Sequence, residues 1–226
     1  MSSDRRRVVI AIDGPAGVGK STIARRLAQR LGFTYIDTGA MYRAVALWAR
    51  RQGVDLDDMH RMEQLARAAS IALEPNSSRV LLNDEDVSAE IRTAEIAEAA
   101  SAAAAIPGVR RALVEKQRAM GASSSVVMEG RDIGSVVFPS ADVKIFLDAD
   151  PQERARRRMA ETASAPDAVA EQLKQRDERD RGRSESPLMQ APDAVYIDST
   201  ALSPDEVEEA ILKVIRTKLS NGKGFQ

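Results

Sequence analysis

Short apolar runs alternate with longer amphipathic segments along most of this chain. Valine and isoleucine fill successive positions of several runs, as in strands of a parallel sheet that helices cover on both faces. Four such runs cover residues 8–12, 124–128, 143–147 and 194–198, and a further strand-like segment covers residues 33–37. Helical spacing marks the segments 22–31, 40–52, 92–105, 109–120, 151–161 and 204–219. The alternation predicts an α/β fold with a central parallel sheet.

Two segments depart from this alternation. Residues 70–92 contain two short β-like runs around the turn-forming sequence Pro75-Asn76-Ser77-Ser78, which predicts an inserted hairpin. Residues 153–183 are dense in arginines and carboxylates and contain no aromatic residue. Because that segment is too charged to lie in a core, we expect it to form a mobile lobe on the surface.

Composition narrows the function classes. The chain has 226 residues and a net charge of −1, and its basic residues alternate with acidic ones, which disfavours a nucleic-acid surface. No run approaches the ~20 apolar residues of a membrane span, and the short apolar start is interrupted at Asp13 and Gly14, unlike a secretory signal. We therefore expect a cytoplasmic protein that contacts no membrane.

The chain has no cysteine and a single histidine, His60, in a polar setting typical of a surface residue. Disulfides, thiolate catalysis and cysteine-based zinc sites are excluded. Any reaction must proceed without cysteine, and we expect it to proceed without histidine. Phosphoryl transfer to an oxygen that is already ionised meets that condition.

A glycine-rich loop after the first strand fits the pattern G-x-x-x-x-G-K-[ST]. Its glycines allow successive backbone N–H groups to point at phosphate oxygens, and the positive end of the following helix faces the same anion. We expect Lys20 to hold the β- and γ-phosphates and Ser21 to hold Mg²⁺. The predicted triphosphate site comprises Gly14, Pro15, Ala16, Gly17, Val18, Gly19, Lys20, Ser21 and Thr22.

The type of nucleoside triphosphate is narrowed by a missing motif. Guanine-specific G proteins read their base with N-K-x-D, and no asparagine of this chain precedes a lysine. An ATP-binding protein remains, either a motor-like ATPase or a small-molecule kinase. The short chain favours the kinase.

Further residues could hold a second phosphate. Thr38 and Arg43 follow the strand-like segment 33–37, and Arg131 and Asp132 follow the run 124–128, where ligands of open α/β sheets gather. Guanidinium groups match phosphate geometry well. Alternatively, Arg43 is a solvated helix residue, and Arg131 and Asp132 form a loop ion pair. Arg110, at a helix start, opposes the helix dipole and is either a surface residue or held there by an anion.

The charged segment contains two helical stripes. Arg154, Arg157 and Arg158 share one face, and Arg176, Asp180 and Arg183 share another. The stripes either close over a triphosphate or form a solvated helix pair with internal salt bridges. Spacing alone does not separate these interpretations.

Together the segments IDGPAGVGKST, DTGAMYRAVAL, DVSAEIRTAEI, VVMEGRDIGSVVFPSADVKIFLDA, RDERDRGRSESPL and IDSTALSPDEV resemble bacterial cytidylate (CMP) kinases, members of the nucleoside monophosphate kinase family. The resemblance extends over residues 8–219. The phosphate loop is shared by many families, whereas GRDIGSVVFP and RDERDR are more specific. The resemblance implies a single domain with a P-loop core (residues 1–60, 100–152 and 185–226), an NMP-binding insert at about 61–99 and an arginine-rich lid at about 153–184.

The resemblance also implies roles for individual residues. Thr38 and Arg43 match positions around the acceptor phosphate, and Ser101, Arg110 and Asp132 match cytosine-reading positions. Arg131 and Arg183 match phosphate-binding arginines, and Arg176 and Asp180 match contacts to the pentose. The family commonly has serine at Thr38 and aspartate at Glu129, and both changes keep the functional group.

We therefore expect transfer of the γ-phosphoryl group of ATP to CMP or dCMP with Mg²⁺, by a monomer. Lys20, Arg131 and Arg183 are expected to be catalytic through charge neutralisation, and Arg157 and Arg158 to bind ATP from the lid. Two alternatives stay open. The acceptor could be another small molecule, such as UMP, AMP or shikimate, or the protein could be a non-catalytic nucleotide-binding regulator.

Overall fold

The computed structural model describes residues 7–74, 77–162 and 166–221. Its helices and strands follow the chain in the order β1 (Val9–Asp13), α1 (Lys20–Leu31), β2 (Thr34–Asp37), α2 (Thr38–Arg51), α3 (Met59–Ala68), β3 (Ile71–Leu73), β4 (Val80–Leu82), β5 (Glu85–Asp86), α4 (Ala94–Ala103), α5 (Pro107–Gly121), β6 (Val126–Gly130), β7 (Val143–Asp148), α6 (Pro151–Thr162), α7 (Pro166–Arg181), β8 (Val195–Asp198) and α8 (Pro204–Asn221). A 3₁₀ turn covers Glu90–Arg92 and a π-helical turn covers Ile133–Val137.

Five strands form one parallel sheet in the order β2-β6-β1-β7-β8. Each overlaps one of the predicted strand segments, so the expected α/β architecture with a central parallel sheet is confirmed. In the registers of this sheet Asp13 pairs with Gly130 and Asp37 pairs with Glu129. The carboxyl ends of β1, β2 and β6 therefore meet at one edge, where the loops that follow them converge.

Helices cover both faces of the sheet, which explains its continuous apolar strands. On one face, Ile23 and Leu27 of α1 pack with Ile211 and Ile215 of α8. On the other face, the π-helical turn after β6 and helix α5 contribute Ile133 and Val114 to a second cluster. The strand β1 between them is fully enclosed, which fixes the position of the loop that follows it.

The predicted hairpin within residues 70–92 is confirmed by the antiparallel pair β3 and β4, although Pro75 and Asn76 of its turn lie outside the described residues. A third strand, β5, pairs with β4 and was not predicted. The turn between them places Asn83 and Asp84 at φ values of 49° and 68°. A tight hairpin needs positive φ at both central residues, and this one achieves it without glycine, the usual sequence marker.

Helix α3 was not predicted as a separate element, and α7 was expected only as one of the two helical stripes of the charged segment. Helix α3 begins at the cap residue Asp58, whose carboxylate accepts a hydrogen bond from the Arg61 amide at 3.0 Å. Helix α7 runs through most of the segment interpreted as a charged lobe. It buries Val169 and Leu173 against Ala155 of α6, so this segment has a small apolar core of its own. In the described part of the chain no helix is both long and apolar enough to cross a membrane.

Candidate active site

A cavity of about 490 Å³ opens at the carboxyl edge of the parallel sheet. Its walls come from the glycine-rich loop, α2, α4, the turn after β6 and α7. Residues far apart in the sequence, from Ala16 to Arg183, therefore line one cavity. The predicted residues that line it are Ala16, Gly17, Gly19, Lys20, Ser21, Thr22, Thr38, Arg43, Ser101, Arg110, Arg131, Asp132, Arg158, Arg176, Asp180 and Arg183.

The glycine-rich loop owes its shape to backbone conformations that other residues adopt rarely. Gly14, Gly17 and Gly19 have φ values of 151°, 79° and 88°. A Cβ at Gly14 would also lie 2.0 Å from the Leu147 carbonyl oxygen of the neighbouring strand. The predicted residues Gly14, Pro15 and Val18 are buried behind the cavity wall, so their contribution is to the shape of the loop.

Lys20 begins helix α1 with its side chain buried in the loop. Its Nζ donates a hydrogen bond to the Pro15 carbonyl oxygen at 2.6 Å, which holds the amine against the loop. Burial, together with the nearby charge of Arg131, lowers the pKa of Lys20 to about 7. An anion bound in the loop would stabilise the charged form, so the site is set up to acquire positive charge when phosphate enters.

Oxygen ligands suitable for Mg²⁺ lie beside this amine. The Ser21 hydroxyl hydrogen-bonds with Glu129, which also accepts from the Tyr35 hydroxyl at 2.8 Å. Burial, and then the charge of Asp37, raises the pKa of Glu129 above its usual value. One carboxylate and one hydroxyl fit Mg²⁺, which keeps several waters and takes its remaining ligands from phosphate. Within the described ranges, no cluster of three or more carboxylate or histidine groups could hold a metal without a nucleotide.

A second carboxylate, Asp148, ends the neighbouring strand β7. It accepts hydrogen bonds from the Ala149 amide at 2.8 Å and the Tyr196 hydroxyl at 3.4 Å, and it is not part of the cavity wall. The placement of the two side chains favours Glu129 as the carboxylate near a metal.

The start of α2 supplies Thr38 and Arg43. The Thr38 hydroxyl donates to the Glu129 carbonyl oxygen at 2.7 Å. Asp37 caps the helix by accepting from the Ala40 amide, and its second oxygen accepts from Arg43 at 2.9 Å. Arg43 is therefore not the solvated helix arginine of the alternative interpretation, since it is paired and lines the cavity.

Deeper in the cavity, Arg110 and Asp132 form an ion pair at 2.5 Å, with side chains only 3% and 7% exposed. The Arg110 guanidinium also donates to the Ala104 carbonyl oxygen and lies over the Tyr42 ring. Ser101 of α4 lies in the same wall. Burial excludes the alternative that Arg110 is a surface residue, and the pair presents both an acceptor and donors to the cavity.

Arg131, Arg176 and Arg183 surround the buried carboxylate of Asp180. Asp180 accepts from Arg131 Nε at 2.8 Å and pairs with Arg183. Burial raises the pKa of Asp180, but the charges of Arg131, Arg183 and Arg176 outweigh it and leave the pKa below its usual value. Burial, with the charge of Arg131, lowers the pKa of Arg176 to about 10. The pair of Arg131 is thus with Asp180 and not with the neighbouring Asp132.

Several buried donors of the cavity-lining arginines have no partner within the described residues. These are the Nε atoms of Arg43, Arg110, Arg176 and Arg183. Buried polar groups are nearly always paired in folded proteins. Because all four arginines line the cavity, their guanidinium groups are suited to bind an anionic ligand there.

The three arginines of the first stripe, Arg154, Arg157 and Arg158, make different contacts, and only one of them lines the cavity. Arg154 is buried, pairs with Asp177 and donates to the Ala16 carbonyl oxygen at 3.1 Å, so it ties α6 and α7 to the glycine-rich loop. Arg157 donates to the Ser199 carbonyl oxygen at 2.6 Å and to the Val18 carbonyl oxygen at 3.3 Å, and it is not part of the cavity wall. Arg158 does line the cavity.

Two charged residues with clear contacts received no role from the sequence. Asp13 accepts from the amides of Ile133 and Gly134 at 2.8 and 2.7 Å, so it holds the turn that follows Asp132. Burial raises the pKa of Asp13 to about 7. Arg179 donates to Ser101 from α7. The position of Asp13 at the end of a buried strand could have identified it from the sequence. No sequence pattern links Arg179 to Ser101, which lies 78 residues earlier.

Several known proteins have sequences similar to that of this chain. A protein-family model described as cytidylate kinase matches residues 10–217. The cytidylate kinase of Solibacter usitatus is 63% identical over 228 residues, covering 98% of this chain and 97% of the relative. That of Geobacter sp. is 49% identical over 222 residues, covering 95% of each chain.

Among solved structures, a gluconokinase from Sinorhizobium meliloti aligns with a TM-score of 0.51 at 16% identity, covering 95% of this chain and 97% of the other. At that identity the similarity shows the fold alone. It agrees with the expected P-loop kinase core around a parallel sheet.

Proposed function

We propose, since the chain belongs to the cytidylate kinase family, that it transfers the γ-phosphoryl group of ATP to CMP or dCMP, giving ADP and CDP or dCDP. The observation that carries this proposal is one cavity lined both by a phosphate loop and by arginines whose buried Nε atoms have no partner among the described residues. Such a cavity suits two phosphate-bearing substrates that meet end to end.

On the donor side, the backbone amides of residues 17–21 bind the β-phosphate and Lys20 bridges the β- and γ-phosphates. Ser21 and Glu129 would hold Mg²⁺ and its waters, and the metal would neutralise charge on the two phosphates. Arg158 is placed to contact the triphosphate from α6, because it lines the cavity. For Arg157, contact with ATP stays a prediction, and it would require the lid to move.

On the acceptor side, the attacking oxygen belongs to the CMP phosphate and is already ionised at neutral pH. No general base is needed, which agrees with a cavity that contains neither cysteine nor histidine. Thr38, Arg43 and Arg131 bind that phosphate, and Arg176 and Asp180 bind the pentose. Asp132 accepts from the cytosine amino group, while Arg110 and Ser101 complete the contacts to the base.

Catalysis in this proposal consists of alignment and charge neutralisation. Arg131 and Arg183 approach the transferring group, and closure of the lid, residues 153–184, excludes the water that would hydrolyse ATP. The insert of about residues 61–99 closes over the monophosphate. We also predict that the protein is a cytoplasmic monomer and that it contacts no nucleic acid.

The test is ADP release with a panel of acceptors: CMP, dCMP, UMP, AMP and shikimate. We expect the highest kcat/KM with CMP or dCMP. A preference for UMP, AMP or shikimate would refute the acceptor assignment. Binding of ATP without ADP release from any acceptor would identify a regulator instead.

A further inference from the structure

Helix α7 touches the base-binding wall through one arginine. Arg179 donates to the Ser101 hydroxyl oxygen at 2.7 Å and to Glu98 at 2.7 Å, and both acceptors lie on α4. Ser101 is only 3% exposed and lines the cavity. Arg179 is one residue before Asp180, which pairs with Arg131 and Arg183. The same turn of α7 therefore contacts both the phosphate-binding arginines and the base-binding serine.

The contact occupies one of the two acceptor lone pairs of the Ser101 hydroxyl. A guanidinium group has donors and no acceptor, so the Ser101 oxygen must accept this hydrogen bond. Nowhere in the described part of the chain does a residue accept a hydrogen bond from Ser101. The hydroxyl hydrogen is thus available to a ligand in the cavity, and Ser101 can act there as a donor.

This donor lies in the wall that also contains the Asp132 carboxylate and the Arg110 guanidinium. Cytosine presents a donor, its amino group, beside a ring nitrogen, N3, that accepts. Uracil presents the reverse, an accepting O4 beside an N3 that donates. A wall with one carboxylate acceptor, guanidinium donors and a hydroxyl whose hydrogen is available to the ligand therefore matches cytosine better than uracil.

We propose that Arg179 is a positioning residue for base selection: by donating to Ser101 it keeps that hydroxyl as a donor toward N3 of cytosine. The inference rests on the proposed function, because it deepens the acceptor preference of the same site. It also means that the base is selected fully only when α7 lies against α4.

The test is a double-mutant cycle in ADP release, with kcat/KM measured for CMP and for UMP. We expect Arg179→Met to lower the ratio of CMP to UMP about tenfold, mainly through a higher KM for CMP, which corresponds to about 1.4 kcal/mol. In a Ser101→Ala background the same substitution should change that ratio less than twofold. Arg179→Lys, which retains a donor, should restore most of the ratio.

Two controls keep the result interpretable. Arg181→Met, on an exposed position of the same helix, should leave both kcat/KM values unchanged. Glu98→Ala removes only the exposed partner of Arg179 and should lower the ratio about twofold, which tests the proposal even if Arg179→Met fails to fold. Thermal unfolding of each variant measures folding independently.

Equal losses for CMP and UMP in Arg179→Met, or the same change in the Ser101→Ala background, would overturn the inference and leave the proposed function intact. A wild-type protein that releases no ADP with CMP would refute the proposed function itself. The two failures are therefore distinguishable.

Discussion

The proposed donor loop and the proposed acceptor pocket face each other across one cavity, but they are built differently. The loop is one contiguous stretch, residues 14–22, whose binding groups are mainly backbone amides held by glycines at positive φ. The pocket draws its residues from α2, α4, α5, the turn after β6 and α7. Its binding groups are side chains that carboxylates hold in place before any substrate arrives.

This difference has an energetic origin. Backbone amides carry no net charge, so leaving them without a bound anion costs little free energy. Buried guanidinium groups are charged and need a counter-charge. Asp37 pairs with Arg43, Asp132 with Arg110, and Asp180 with both Arg131 and Arg183. A substitution in the loop should therefore affect catalysis directly, whereas one in the pocket should affect acceptor binding and stability together.

The largest expected effect is on the donor loop. Lys20→Ala should lower kcat about a thousandfold, because it removes the point charge on the transferring phosphoryl group. Steady-state ADP release measures this change. Since burial already disfavours the charged amine, thermal stability at pH 8 should not fall, which separates lost chemistry from lost folding. A kcat within tenfold of the wild type would contradict the assignment.

The next effect is on the acceptor pocket. Asp132→Ala should weaken CMP binding about a hundredfold and leave the ATP Kd within about threefold, because we propose that the carboxylate contacts the cytosine base and not ATP. It should also lower the free energy of unfolding by about 3 kcal/mol, since Arg110 loses its buried counter-charge. Calorimetric titrations and denaturant unfolding measure both quantities.

The matched control for this substitution is Asp148→Ala at the end of β7, which is separated from β6 by β1 and lies outside the cavity wall. It should change CMP affinity less than twofold. An equal loss of ATP and CMP affinity in Asp132→Ala would remove the distinction between the two regions.

A smaller effect is expected on the lid. Arg158→Ala should raise the KM for ATP about tenfold, because this residue lines the cavity. Arg156→Ala, two positions earlier on the same helix, removes a 72% exposed side chain paired with Glu153 and should change KM less than twofold. Equal effects of the two substitutions would show that the lid arginines act through the overall positive charge of the lid and not through contact of Arg158 with ATP.

The smallest expected effect is the uptake of a proton when Mg·ATP binds. With a pKa of about 7, Lys20 is only about one tenth protonated at pH 8 in the free protein. Triphosphate raises that pKa, so Mg·ATP binding at pH 8 should take up nearly one proton, and at pH 6 almost none. Calorimetry in buffers of different ionisation enthalpy measures the uptake. Lys20→Arg, which stays charged, should show none.

The sequence predicted most of the core fold, because buried parallel strands and amphipathic helices follow local periodicity. It did not predict β5, whose turn uses Asn83 and Asp84 in place of glycine, or α3 as a separate helix. Boundaries of the insert and lid stay predictions. Long-range pairs such as Arg179 with Ser101 were not predicted, because side chains 78 residues apart leave no shared pattern.

The sequence alone predicted the proposed donor site. A contiguous loop with fixed glycines, a lysine and a hydroxyl determines its own shape, since backbone conformation is local. The positions of Thr38, Arg43, Arg131 and Asp132 after predicted strands suggested a second phosphate site, whereas Ser101 was suggested only by resemblance. The geometry of these residues was decided by the tertiary structure. Burial decided which arginine pairs with which carboxylate: Arg154 with Asp177 and the loop, and Arg131 with Asp180. A buried charge must find its partner across the fold, and that choice depends on packing, which no local pattern records.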